Sequence, residues 1–72
     1  MKFKVGDKVY TDTNGVYQNT QESLSRLSGT IINIEDPYNI HVQLNDKPWG
    51  LVGFSEFELS LEPITKYKNE NG

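Results

Sequence analysis

Between residues 38 and 44 apolar and polar positions alternate without a break. Tyr38, Ile40, Val42 and Leu44 share one side, and Asn39, His41 and Gln43 share the other. That period of two predicts a strand with one buried and one solvated face, and it turns His41 away from the core. Upstream, "SGTIINIEDPY" reads as a strand entered through Gly29 and closed by Asp36-Pro37, with Ile32 and Ile34 on one face. "FKVGDKVY" places Phe3, Val5 and Val9 at even separations, interrupted by Gly6-Asp7, a dipeptide suited to a bulge or bend. Asn14-Gly15 between Thr13 and Val16 is a two-residue hairpin signal, because both positions tolerate positive φ.

Two segments break the strand pattern. "NTQESLSRLSG" is polar, with Leu24 and Leu27 three apart; it is either one short helical turn capped by Asn19 and Glu22 or an irregular loop held down by the two leucines. "FSEFEL" carries Ser55 three residues before Glu58, a capping box, with Phe54 and Leu59 in the two positions of a hydrophobic staple. A single turn of 3₁₀ type is expected to start at residue 56 and to stop where "LSLEP" resumes alternation before Pro63. The staple takes Phe54 inward, and parity takes Val52 and Gly50 with it. Trp49 and Leu51 then face outward unless Gly50 or Gly53 hosts a bulge.

Composition narrows what such a fold can do. Seventy-two residues make one domain at most, and at this size only about 60% of the unfolded surface leaves water. There is no Cys and a single His, so neither disulfides nor a paired-His metal site reinforces it, and no cofactor is implied. Charges at Lys2, Lys4, Asp7 and Lys8 leave no apolar signal-peptide region, and no apolar run approaches membrane-spanning length, so a soluble, cytoplasmic protein without a membrane partner is expected. Net charge is -3, and it is unevenly spread: residues 1–63 hold five Lys or Arg against nine Asp or Glu, while residues 64–72 hold two Lys against one Glu. An acidic domain lacks the phosphate-neutralising footprint of a nucleic-acid binder, apart from a patch built from Lys2, Lys4, Lys8 and Arg26. The tail "ITKYKNENG" is expected to be frayed.

Five short strands, a long polar hairpin after the first and one capped turn before the last describe an all-β, half-open barrel. The order "FKVGDKV", "SGTIINI", "YNIHVQL", "GFSEFELSLEP" resembles the SH3-like barrels, including KOW-type domains and small phage or mobile-element proteins of that fold. In these, a Gly-Asp sits in the first strand, a Gly-Thr-Val-Val-like segment opens the second, and an aromatic followed by a Glu-Leu turn leads into the last. The resemblance covers about residues 2–63 and implies a five-stranded SH3-like barrel over residues 1–63. The acidic aromatic motif and the Trp-Trp pair of proline-peptide-binding SH3 domains are absent, so that activity is not implied. The loop "SRLSGT" carries Arg26 as its only charge, which is unlike the basic loops of KOW-type domains.

Catalytic chemistry finds little support. Nucleophilic catalysis needs a nucleophile, a base and an orienter, yet Cys is absent and Ser55 is committed to a cap. The acidic pairs, Glu35-Asp36 and Glu56, Glu58 and Glu62, read as solvated or capping groups. What remains is binding by surface, for which Tyr10, Tyr17, Tyr38 and Trp49 are the candidates, since Tyr and Trp contribute most at interfaces. For each, the alternative is that it closes an end of the core. The first expectation is therefore a non-enzymatic protein-interaction module, an accessory or regulatory protein of a phage or mobile element, acting as a monomer or weak homodimer on an unidentified protein partner. The rivals are a KOW-like nucleic-acid binder and an acidic inhibitor that mimics nucleic acid to block a host protein.

Overall fold

The alternating segment forms the middle of a sheet. In the computed structural model, which describes residues 2–45 and 47–63, Asn39–Leu44 is a strand with Ile40, Val42 and Leu44 buried and Asn39, His41 and Gln43 turned to the other face. In chain order the strands are β1 (Lys8–Thr11), β2 (Val16–Tyr17), β3 (Glu22–Ser23), β4 (Ser28–Asp36), β5 (Asn39–Leu44), β6 (Leu51–Phe54) and β7 (Leu59–Ser60), with a 3₁₀ turn at Glu56–Glu58. Five of them form an antiparallel sheet in the order β6-β5-β4-β1-β7, and β2 and β3 pair separately as an arm. The fold is all-β. No helix among the described residues is long and apolar enough to cross a membrane.

One face of the five-stranded sheet carries the core: Phe3, Val9, Ile31, Ile40, Val42, Leu44, Phe54 and Leu59, joined by Leu24 from the base of the arm. Each fully buried aliphatic side chain contributes about 1.5–3 kcal/mol relative to exposure, so this cluster is the main stabilising element of a chain without cross-links.

Three local expectations change. Val5 does not share the face of Phe3 and Val9. Residues 4–7 form a turn in which the Asp7 N–H donates to the Lys4 carbonyl and the Lys4 N–H to the Asp7 carboxylate, with Gly6 at φ +97°, and the strand begins only at Lys8. Val5 is therefore 60% exposed. In β4 the buried isoleucine is Ile31 rather than Ile32, because the register to β5 shifts between Ile31 and Asn33. This bulge adds one residue to the strand, turns Ile32 out and lets Ile34 pack against the core. Tyr38 leaves the strand face of Ile40, since it lies in the turn between β4 and β5, where its N–H donates to Asp36 Oδ1 at 2.8 Å.

The arm differs in a physically instructive way. Asn14-Gly15 is not a hairpin turn: neither residue has positive φ, and Leu24 donates its N–H to the Gly15 carbonyl at 3.1 Å. Those two residues lie along the side of the arm. The reversal comes at residues 17–21, where Thr20 and Gln21 both donate to the Tyr17 carbonyl and Gln21 adopts φ +62°. No helical turn forms over residues 19–27. The alternative of an irregular loop holds only in part: Leu24 is buried and Leu27 partly so, but Glu22–Ser23 is regular, pairing with β2 as β3. The arm is tied to β1 by Thr11, which is fully buried; its hydroxyl donates to the Leu24 carbonyl at 2.6 Å and accepts from the Leu27 N–H at 2.9 Å.

At the other end of the chain the local signature forms as its sequence dictates. The capping box of Ser55 and Glu58 is present, with the Ser55 N–H donating to Glu58 Oε1 at 2.9 Å, and the staple residues Phe54 and Leu59 are both in the core. The turn starts at Glu56, hands over to β7 at Leu59, and is anchored to the β4–β5 turn by the Glu56 N–H on the Pro37 carbonyl at 2.7 Å. The expectation for residues 64–72 lies outside the described residues.

Candidate functional site

The four aromatic candidates do not form one surface. Tyr17, the last residue of β2, lies flat on Trp49 in the turn between β5 and β6, with ring centroids 4.0 Å apart and planes 6° from parallel. Beside the rings, Lys47 Nζ sits 2.6 Å from Glu22 Oε1 on β3 and 5.9 Å from the Trp49 centroid. Both strands of the arm thus contact one turn, Tyr17 through stacking and Glu22 through charge. Both rings also pack against the core cluster as partly buried members. Trp49 is half-buried, neither a full core residue nor a free one.

Gly50 makes this turn possible. A Cβ there would stand 2.5 Å from Gln43 Nε2 and 2.8 Å from the carbonyl oxygens of both Leu44 and Lys47. The turn folds too tightly for a side chain, and the Leu51 N–H reaches back to the Trp49 carbonyl at 2.7 Å. That compactness brings Trp49 round to the arm.

The electrostatics of this contact give it a pH dependence. The hydrogen bond from Lys47, with further ones from Thr20 and the Trp49 indole, holds the Glu22 carboxyl below its ordinary value of 4.5. A carboxyl depressed on folding stabilises the folded arrangement above its unfolded value and loses that contribution as pH falls through the lowered one. Acidification below pH 4.5 is therefore expected to loosen the arm. Trp49 is the only Trp, so its emission reports the change. Glu22→Gln should show the acid-type emission at neutral pH and lose most of the acid step; an unchanged titration in that variant would assign the step elsewhere. Glu58, at the far base of the arm, is a second carboxyl of this kind. Burial pushes it upward, but hydrogen bonds from Thr13 and Ser55 outweigh burial and leave it lowered.

The remaining candidates lie apart. Tyr10 sits on the face of β1 opposite the core, with Lys8 Nζ 5.9 Å from its ring. Tyr38 projects from the β4–β5 turn at 67% exposure, and there it meets a residue that the sequence did not single out. Phe57, in the middle of the 3₁₀ turn, is 76% exposed, and its ring centroid is 6.5 Å from that of Tyr38 with planes 45° apart. The signal for Phe57 was available: a staple that turns Phe54 and Leu59 inward across one helical turn leaves the position between them pointing out. Glu35 and Asp36 precede Pro37-Tyr38, and Glu56 and Glu58 flank Phe57, so the sequence around both rings is acidic.

The basic candidates are likewise dispersed. Lys2 and Lys4 precede β1 and Lys8 opens it, whereas the Arg26 N–H donates to the Thr11 carbonyl at the far end of that strand. An open polar recess of about 420 Å³ lies beside Arg26, lined by Asp12, Thr13, Asn14, Ser23 and Ser25. His41 is on the outer face of β5, its Nε2 3.7 Å from Glu35 Oε1. Among the described residues no three His, Cys, Asp or Glu side chains gather in a way that could hold a metal ion. No family model, curated protein or solved structure matches this chain.

Proposed function

We propose that this chain is a non-enzymatic protein-interaction module on an SH3-like barrel, and that its contact surface is the Tyr38–Phe57 pair. The strand order β6-β5-β4-β1-β7, with a 3₁₀ turn between the sheet's two outermost strands, supports the barrel reading. The observation that carries the functional reading is the exposure of two adjacent aromatic rings, 67% and 76%, on a domain whose other described aromatics are buried or partly covered. Large exposed apolar groups held side by side on rigid turns are a poor use of a small chain unless something covers them. Aromatic anchors of this kind carry much of the binding energy at interfaces.

Acidic residues next to the rings in sequence, Glu35, Asp36, Glu56 and Glu58, favour a partner with a basic, apolar surface, on which Lys or Arg side chains can meet carboxylates and ring faces. Tyr17 and Trp49 take a different part, closing the arm over the β5–β6 turn. Tyr38→Ala combined with Phe57→Ala is expected to keep the native circular dichroism spectrum and to lose a partner that the unaltered protein retains on an affinity column. Tyr10→Ala is expected to keep it. Retention of the same partner by the double variant would remove the support for this surface.

A further inference from the structure

We infer that β6 is a self-pairing edge, along which two copies of this chain join antiparallel about a two-fold axis at Val52. Among the described residues β6 has one neighbour, β5. The Leu44 N–H donates to the Gly50 carbonyl at 2.7 Å, and Val42 and Ile40 stand opposite Val52 and Phe54. Alternation of an antiparallel ladder then aims the backbone groups of Val52 and Phe54 at β5 and those of Leu51 and Gly53 at the open side.

Sheet edges are normally guarded by charges, proline, bulges or shortness. The opposite edge, β7, is two residues long and flanked by Glu58, Glu62 and Pro63. By contrast, no charged residue stands between Lys47 and Glu56, and Leu51–Phe54 pairs with β5 without a register shift. Among the described residues this edge is left open to pairing.

Its side chains are also complementary to themselves. Leu51, 53% exposed, and Gly53, also exposed, lie on the same outer face two residues apart. A two-fold axis at Val52 sets Leu51 of each copy opposite Gly53 of the other, so that an exposed aliphatic side chain covers a position with no side chain. The same axis makes Val52 a non-hydrogen-bonded pair with its counterpart and Leu51–Gly53 a hydrogen-bonded one, which matches the direction of the free backbone groups. The Leu51 carbonyl and Gly53 N–H can pair across the axis directly. The Leu51 N–H must first leave the Trp49 carbonyl.

Four residues per copy bury well under the about 1,200 Å² of a stable specific interface, so the dimer is weak, with Kd on the order of 1 mM. Sedimentation velocity from about 20 μM to about 2 mM, together with amide shifts over the same range, reads it. The expected result is an average mass that rises above the 8.2 kDa of one chain, with concentration-dependent shifts centred on Leu51 and Gly53. Leu51→Lys should weaken association about tenfold or more while Val5→Lys, the same charge change at another exposed aliphatic, leaves it unchanged. A constant monomer mass would overturn the inference. So would equal effects of both variants, shifts centred on Tyr38 and Phe57, or a Gly53 amide already protected from exchange at the lowest concentration.

Discussion

Gly29→Ala is expected to destabilise this protein by about 3 kcal/mol, the range for forcing an extra carbon into a close-packed site. Gly29 lies on the buried face of β4, where it pairs with Leu44 of β5 on one side and Val9 of β1 on the other. A Cβ there would stand 2.6 Å from the Gln43 carbonyl oxygen and 2.7 Å from Val42 Cγ1. The first is backbone of the neighbouring strand and the second belongs to a fully buried side chain, so neither can yield without moving the sheet. A domain of this length has about 4–10 kcal/mol of stability in all, so the loss would lower the thermal midpoint by about 15 °C or more. Gly53→Ala supplies the contrast. Its added Cβ would meet only His41 Cδ2, at 3.8 Å, and the gain in chain stiffness should leave the midpoint unchanged or slightly raised. Equal midpoints for the two alanine variants would show that the β4–β5 approach is looser than described.

Trp49→Ala is the second large effect, with an expected loss of about 2–3 kcal/mol. A Trp buried on all sides would cost more, but this one is covered on one face by Tyr17 and on its flank by Lys47. Its removal leaves Tyr17 without a stacking partner and Glu22 without the indole N–H, so the arm loses contacts from both of its strands at once. The consequence should be local as well as global. Amide exchange of residues 16–23 should accelerate more than that of β4 and β5, since the arm's other anchor, Thr11 between Leu24 and Leu27, is untouched. Uniform acceleration through the whole domain would mean that the arm and the sheet open together.

Local signals survived the step from sequence to structure where nothing outside the segment competed with them, and failed where the chain opposite decided the geometry. The Ser55–Glu58 box and the Phe54–Leu59 staple were legible because every participant lies within one turn of chain. The alternation of Ile40, Val42 and Leu44 was legible because the strand has neighbours on both sides and a single buried face. The contiguous pair Ile31-Ile32 could not declare which member goes inward; the bulge against β5 decides it. Asn14-Gly15 carries the right residues for a tight turn, yet the chain only bends at Asn14, because both flanks are bonded to the chain opposite. Thr13 N–H bonds Ser25 Oγ and Leu24 N–H bonds the Gly15 carbonyl, and this moves the reversal to residues 17–21.

The aromatic candidates show the same limit. Nothing within a few residues of Tyr17 or Trp49 records that they meet, because the contact depends on how the arm lies over a turn about thirty residues away. Exposure of Tyr38 depended on the turn closing after it rather than before it, so that Tyr38 lies in the turn and not in β5. Phe57 was the legible case left unread, as its neighbours on either side already fixed its direction. The two glycines beside Trp49 divide between tasks: Gly50 lets the turn close on itself, and Gly53 leaves a gap on an open edge.

We propose a division of labour among the aromatics, with Tyr17 and Trp49 closing the fold and Tyr38 and Phe57 held out for a partner. Urea unfolding of Trp49→Ala and Phe57→Ala, followed side by side by far-ultraviolet circular dichroism, tests it most directly. Trp49→Ala is expected to lose about 2–3 kcal/mol while Phe57→Ala stays within about 0.5 kcal/mol of the unaltered protein. A Phe57→Ala variant as unstable as Trp49→Ala would place that ring in the folded core and contradict the account.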